Sequence, residues 1–195
     1  ILLAILILLS FKISYALEEN ANAINIQYQS HVQYIGWQPT KKDEEISGTT
    51  GQSLRIEAMK INTANLPKGV ELKYQAHVQN IGWQSWKNEG EVAGTEGQSL
   101  GVEAIRIKLE NTDKYSVQYR VHVSYDGWQD WCEDGEIAGT VGKSKSIEAI
   151  QIRIVEKQKK GTINIQTDLT NTVFNSDGIE INGWKMANVP NTTIE

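Results

Sequence analysis

Cysteine is almost absent from this sequence, which holds one, Cys132, and three prolines among 195 residues. A single thiol cannot form an internal disulfide, so the fold must be stabilised by buried apolar surface. It also excludes a cysteine-rich metal centre, because such centres need several closely spaced cysteines. We interpret Cys132 as structural or incidental rather than as a nucleophile, and we expect neither a metal nor a cofactor.

A concentration of positive charge is also missing. Lysine and arginine number 19 against 24 acidic residues, the formal net charge is -5, and no basic stripe is present. Nucleic-acid binding requires a concentrated positive surface that neutralises phosphates. We therefore expect no nucleic-acid partner, and we interpret the small group Lys157, Lys159 and Lys160 as a solvated linker.

No apolar run reaches the roughly 20 residues that a membrane span needs. Residues 1–9 are all apolar, and Ser14 and Ala16 then occupy the −3 and −1 places of a signal-peptidase site. The sequence therefore predicts a secretory signal over residues 1–16, truncated at its start, with 21–23 as a second cleavage site. A membrane anchor is the competing interpretation. We expect an extracellular or cell-surface protein with no stable membrane insertion after signal removal.

Helical periodicity is missing as well, and strict alternation takes its place. Between positions 27 and 32 one face carries Tyr28, Ser30 and Val32 and the other carries Gln27, Gln29 and His31. A period of two is typical of a half-buried strand. A second strand is predicted over 56–61, 102–109 and 147–154, with glycine-rich turn sequence between the two strands. These patterns predict an all-β fold.

One segment of the chain occurs three times. The string His31-Val-Gln-Tyr-Ile-Gly36-Trp37-Gln38 returns at 77–84 and at 122–129, so the offsets are 46 and 45 residues. A unit of this size cannot bury its own apolar face, so the copies must share a core. Three copies favour closure around a pseudo-threefold axis. We predict a β-prism-like repeat domain, with a β-trefoil as the alternative.

The repeats define the predicted domain organisation. Copy one spans about 24–66, copy two 70–111 and copy three 115–155, followed by a linker at 156–161. Positions 45 residues beyond His122 and Trp128 hold Thr167 and Val173, so a fourth copy is not predicted. We interpret 162–195 as the truncated start of a further β domain.

At these residues the sequence resembles the ChW repeat family, the clostridial hydrophobic repeat with a conserved tryptophan. The resemblance covers about 24–155 and is carried by the His-Val-Gln-x-x-Gly-Trp-Gln string, the Gly-Thr-x-Gly-Gln turn and the Glu-Ala-Ile/Met-x-Ile strand. It implies an extracellular or cell-surface protein with a role in adhesion or in attachment to polymers, often beside hydrolase, adhesion or Ig-like domains. Copy one departs from the pattern, because Thr40 stands where the other copies have Trp86 and Trp131. Copy three has Ser124 and Lys143 in place of glutamine.

The repeated aromatic and amide residues are the candidate ligand contacts. Exposed indole rings stack on sugar rings, and a glutamine amide both donates to and accepts from hydroxyls. The candidates are Trp86, Trp131, Trp83, Trp128, Trp37, Gln38, Gln84, Gln129, His31, His77 and His122. A structural role competes for the first tryptophan of each copy, as a core wedge whose indole N–H meets a carbonyl or carboxylate. For Trp86 and Trp131, a binding platform and an incidental exposed ring are equal alternatives.

Catalysis is not expected in this sequence. Glycoside hydrolysis needs two carboxylates in one cleft, whereas Glu57, Glu103 and Glu148 occur once per copy, and symmetry would hold them apart. We expect each of them to pair with an indole N–H or a turn amide of its own copy. The sequence thus predicts a non-catalytic module that binds an extracellular polysaccharide or cell-wall polymer, with a protein-binding adhesion or scaffold module as the alternative.

Overall fold

The computed structural model describes residues 23–157 and, beyond them, the backbone of three short strands. Residue contacts divide the chain into two units, Ile1–Lys157 and Gln158–Glu195. The predicted secretory signal lies outside the described residues, as does most of the predicted linker. In the described part of the chain no helix is long and apolar enough to cross a membrane.

Each copy supplies two long strands and two or three short ones. Copy one contains β1 (Asn25–Val32), β2 (Gly36–Trp37), β3 (Lys41–Lys42), β4 (Ser47–Gly48) and β5 (Ile56–Ala64). Copy two contains β6 (Glu71–Val78), β7 (Gly82–Trp83), β8 (Ala93–Gly94) and β9 (Val102–Glu110). Copy three contains β10 (Tyr115–Val123), β11 (Gly127–Trp128), β12 (Cys132–Glu133), β13 (Ala138–Gly139) and β14 (Ile147–Glu156). The second unit contains an antiparallel sheet of β15 (Thr172–Asn175), β16 (Gly178–Ile181) and β17 (Trp184–Ala187).

The three copies are linked by a cyclic exchange of one short strand. Within each copy the two long strands pair antiparallel, as β1 does with β5. The Ala-Gly strand of copy two, β8, instead pairs with β5 of copy one, and β13 of copy three pairs with β9 of copy two. The equivalent strand of copy one, β4, closes the cycle on β14 of copy three. The all-β prediction is confirmed, and one sheet per copy is consistent with the predicted prism.

The alternating faces of the long strands build one shared core. In β1 the even-numbered residues Ile26 to Val32 are fully buried and the odd-numbered ones are half-exposed, as the sequence pattern predicts. Copy one buries a polar pair in this core, and the Ser47 hydroxyl donates to Ser30 at 2.8 Å. The other copies place alanine or valine there. Since each buried hydroxyl meets the other, the pair avoids the cost of an unsatisfied polar group.

A buried tyrosine in each copy connects it to the neighbouring copy. The Tyr74 hydroxyl donates to the carbonyl of Glu91 in its own copy and accepts from the Ile61 amide of copy one at 3.2 Å. Tyr28 makes the same pair of contacts with Glu45 and with Ile152 of copy three, and Tyr119 does so with Glu136 and Ile107 of copy two. Burial raises the pKa of Tyr74 to about 12 and raises those of Tyr28 and Tyr119 as well.

The exchanged strands are β4, β8 and β13, and each packs closely against the long strand of the neighbouring copy at its glycine. Gly94 has a φ of 107°, and a Cβ at this position would overlap the Glu57 carbonyl oxygen and the Ala58 Cα. The next residue, Thr95, donates its amide to the same Glu57 carbonyl at 2.8 Å. Gly48 and Gly139 are placed in the same way against copies three and two. Only glycine combines this backbone conformation with so close an approach.

Candidate binding surface

A histidine and a tryptophan meet on the outer surface of every copy. Antiparallel pairing sets His31 of β1 opposite Trp37 of β2, and cross-strand partners point to the same face of a sheet. The two rings are edge to face, with centroids 5.5 Å apart. The corresponding distances are 5.3 Å for His77 and Trp83 and 5.6 Å for His122 and Trp128. The structure therefore contains three equivalent His–Trp sites.

The interpretation of the first tryptophans as core wedges is wrong. Trp37, Trp83 and Trp128 are half-buried and lie outside the apolar core cluster. The expected indole partner is present in copy one, where the Trp37 Nε1 donates to a carboxylate oxygen of Glu96 in copy two at 3.2 Å. Outward placement follows from the strand parity, because the preceding Gly36 pairs with the buried Val32.

A buried glutamate lies beside each histidine because the second long strand carries a β-bulge. His31 pairs with Ala58 and Val32 with Ile56, so Glu57 has no partner in the ladder. A bulge resets the alternation of faces. The carboxylate thereby reaches the Nδ1 of His31 at 3.5 Å, and the matching pairs measure 3.1 Å for His77 and Glu103 and 3.2 Å for His122 and Glu148.

The prediction that these glutamates pair with an indole N–H or a turn amide of their own copy is therefore wrong, because the neighbouring group is a histidine. Two of them have a further partner: Arg55 lies 2.8 Å from Glu57, and the Ser124 hydroxyl donates to Glu148 at 2.6 Å. The three glutamate residues are 4 to 6% exposed. A buried carboxylate is tolerated when charged and hydrogen-bonding groups surround it. The sequence signal was an acidic residue at the same position near the start of the second long strand in every copy.

A cation from the chain lies over the ring of each first tryptophan. Lys60 Nζ is 4.4 Å from the Trp37 ring and Arg106 Cζ is 4.7 Å from that of Trp83. Copy three has Gln151 at the equivalent position, and Arg120 from the opposite strand lies 5.1 Å from Trp128 instead. Contacts of this kind are stabilised by the ring quadrupole.

The second tryptophans, present in two copies, are also contacted by cations. Trp86 is 38% exposed and has Lys108 Nζ 4.5 Å from its ring centroid. Trp131 has Arg120 at 4.9 Å and Arg153 at 4.2 Å. Arg153 also pairs with Glu44 of copy one at 3.1 Å. In copy three, Trp128, Arg120, Trp131 and Arg153 thus form one stacked series on the surface.

The three candidate glutamines face the exchanged strands. Gln84 Oε1 accepts from the Gly94 amide at 2.7 Å, and its Nε2 donates to the Gly94 carbonyl at 3.0 Å. Gln38 and Gln129 hold Gly48 and Gly139 through the same two bonds. Both ends of each amide are therefore engaged within the fold, at the strand that links one copy to the next.

Sequence reasoning missed two tyrosines at the hairpin tips. Tyr34 lies third in a turn closed by a 3.0 Å bond from the Ile35 amide to the Val32 carbonyl. Its φ is 64°, and the equivalent Tyr125 has 68° and Asn80 has 63°. This left-handed conformation suits asparagine and costs other residues about 1–2 kcal/mol. In the sequence, Asn80 at the equivalent position of copy two was the indication that this turn residue has a left-handed conformation.

The predicted site residues are thus only partly brought together. Each copy unites its histidine with its first tryptophan, while its glutamine faces the exchanged strand. The second tryptophan has a separate cation in copy two and shares Arg120 with the first tryptophan in copy three. A ligand-binding role for these residues stays a prediction. Among residues 23–157, no group of three or more histidine, cysteine, aspartate or glutamate side chains is arranged to hold a metal ion.

The fold and the repeated sites define an all-β module of three equivalent units. The family described as Clostridial hydrophobic W, or ChW, matches the chain three times, at residues 31–65, 77–111 and 122–156. Together these matches cover more than half of the sequence, and the chain belongs to the ChW family. Comparison with curated proteins and with solved structures gives no match. The family consists of repeat modules that often occur in extracellular proteins.

Proposed function

We propose that this chain is a secreted or cell-surface, non-catalytic module that binds a carbohydrate or cell-wall polymer. One observation carries the proposal: the same aromatic site, a tryptophan set edge-on against a histidine, recurs on the outer surface of all three copies. A polymer presents the same chemical group many times. Three weak, equivalent sites on one rigid body would then combine into a strong attachment through avidity.

The side chains on this surface suit a neutral, hydroxyl-rich ligand. Trp86 and Trp131 offer apolar ring surface on copies two and three, and polar and charged groups surround them. Two of the nearby cations are paired with carboxylates of the chain, Arg153 with Glu44 and Lys108 with Glu110. Aromatic rings that combine an apolar face with neighbouring hydrogen-bonding groups are the common contacts for sugar rings.

The environment of the acidic residues supports a non-catalytic role. Each repeated glutamate is buried, with a carboxylate oxygen 3.1 to 3.5 Å from the Nδ1 of a histidine in its own copy, one per site. Glycoside hydrolysis instead uses two carboxylates that flank one bond. We therefore propose attachment rather than turnover for residues 23–157.

Retention on insoluble polymers tests the proposal. The natural chain and a Trp86→Ala/Trp131→Ala variant are passed over cellulose, xylan and purified bacterial cell walls, and bound protein is eluted with soluble oligosaccharides. We expect retention of the natural chain and weaker retention of the variant. An Ile46→Ala/Ile137→Ala variant is the matched control, because it removes two exposed apolar side chains elsewhere, 45% and 43% exposed. Failure of the natural chain to bind any polymer would overturn the proposal.

A protein-binding adhesion or scaffold module is the second candidate. Exposed apolar side chains next to the hairpin tips favour it, with Ile35 and Ile81 each 51% exposed. Apolar surface that remains in water is a frequent mark of a protein contact. Protease treatment of the cell walls separates the two functions, since it abolishes binding to a protein and leaves binding to a polysaccharide intact.

A further inference from the structure

The two tyrosines at the hairpin tips are the most exposed large hydrophobic side chains of the described residues. Tyr34 is 90% exposed and Tyr125 is 95% exposed. They occupy the same turn position in copies one and three, so the pseudosymmetry places them equivalently on the module. Neither ring contributes to the core.

Their ring faces are free, in contrast to those of the tryptophans. In residues 23–157 every tryptophan ring has a lysine or arginine of the chain within about 5 Å of its centroid. Within the same range of the chain, neither tyrosine has such a cation or a stacked ring. The Tyr34 hydroxyl lies 3.2 Å from the side-chain amide of Gln33, and the residue is nonetheless 90% exposed. These two tyrosines therefore offer uncovered aromatic surface to a ligand.

The backbone conformation does not favour tyrosine at either position. Both residues have a positive φ, and copy two has Asn80 at the same place with nearly the same angle. Asparagine adopts this conformation readily, whereas a large side chain is strained in it. Tyrosine at these positions neither relieves the backbone strain nor adds buried surface to the core. Its contribution is an exposed ring at the tip of a hydrogen-bonded turn. Strain of this kind is frequently found at sites that contact ligands.

We infer that Tyr34 and Tyr125 are further ligand-contacting aromatic residues of this module and stack on the sugar rings of a neutral polysaccharide. This inference rests on the proposed function and deepens it, because it adds contacts at the hairpin tips to those of the repeated tryptophan sites. The charges around the tips are paired within the chain. Lys145 lies 2.5 Å from Asp126, and Arg55 lies 2.8 Å from Glu57 and also reaches Gln33. An uncharged ligand fits such a surface.

The sequence of copy two supplies the variants that test the inference. Tyr34→Asn/Tyr125→Asn installs the residue that copy two already carries, in a conformation that suits it, so the fold should be unchanged or more stable. We expect the variant to keep the melting temperature of the natural chain and to lose roughly tenfold or more in affinity for cellulose or xylan, since two contacts are removed. The reciprocal Asn80→Tyr variant should bind more tightly, because it completes three aromatic tips.

The outcomes distinguish this inference from the proposed function. Equal retention of the natural chain and the Tyr34→Asn/Tyr125→Asn variant would overturn the inference and leave the polymer-binding proposal standing. No retention of the natural chain on any polysaccharide would overturn both. Retention that depends on the tyrosines but vanishes after protease treatment of cell walls would identify a protein partner and overturn the carbohydrate assignment.

Discussion

The hydroxyl of Tyr28 in copy one accepts a hydrogen bond of 3.2 Å from the amide of Ile152 in copy three. The two residues are 124 positions apart in the sequence. The same hydroxyl donates to the Glu45 carbonyl of its own copy. This contact and its two equivalents join each copy to the preceding one, in the same cyclic order as the exchanged strands.

Removing one of these hydroxyls should destabilise the whole module. Tyr28→Phe leaves a buried amide and a carbonyl without their partner, and we expect the free energy of unfolding to fall by about 1–3 kcal/mol. Urea denaturation followed by tryptophan fluorescence measures this. Tyr34→Phe is the matched control, because it removes an exposed hydroxyl and should change stability very little. Similar losses in both variants would contradict a role for the buried contact.

The buried tyrosines also predict a loss of stability at alkaline pH. Burial raises the pKa of Tyr74 from its ordinary value of 10.0 to about 12. Above pH 10.0 the unfolded chain releases the phenol proton while the folded chain retains it, so the free energy of unfolding falls with rising pH. The contribution is complete below the unfolded pKa and is lost by about pH 12. Urea midpoints between pH 8 and 12 should decline less steeply in Tyr74→Phe than in the natural chain. A parallel decline in both would contradict this origin.

The glycine of each exchanged strand should tolerate no side chain. Gly94→Ala places a Cβ on the Glu57 carbonyl oxygen, in a backbone conformation already unfavourable for alanine. We expect a loss of at least ~3 kcal/mol in the free energy of unfolding, beyond the ordinary cost of strain. Gly97→Ala is the matched control, because Gly97 also has a positive φ, of 69°, but a methyl group added there would meet no atom within 4 Å. Comparable urea midpoints for both variants would exclude a steric cause.

The glutamine that holds Gly94 should contribute to stability. Gln84→Ala removes two hydrogen bonds to the exchanged strand, and we expect a loss of about 1–2 kcal/mol. Gln98→Ala, at an exposed position of the neighbouring turn, should stay within about 0.5 kcal/mol of the natural chain. Thermal melts of the two variants measure the difference. If Gln84→Ala proved as stable as Gln98→Ala, the amide would be free for the ligand contact that its sequence pattern predicts.

Much of the candidate surface could be predicted from local patterns. The alternation in β1 already places His31 on the outer face, whereas the position of Trp37 beside it depends on the pairing of β2 with β1. The partner of Glu57 could not be predicted, because a single bulge shifts the alternation by one residue and turns the carboxylate to the histidine. The cations over the tryptophans could not be predicted either. Lys60 and Arg120 lie on other strands than the tryptophans they contact, so each cation reaches its ring only when the sheet has formed.

The sequence by itself determined the all-β class, the three copies and the buried face of each long strand. These features depend on a period of two and on offsets that repeat along the chain, and both are local properties. Only the tertiary structure decided that β8 pairs with β5 of copy one rather than within its own copy. The copies are so alike that each of these short strands would meet a Glu-Ala sequence in any of them. The partner of β8 is therefore set by the way the three copies close into a ring. In that arrangement Gly94 allows close backbone contact with copy one, and the Tyr74 hydroxyl accepts from the Ile61 amide.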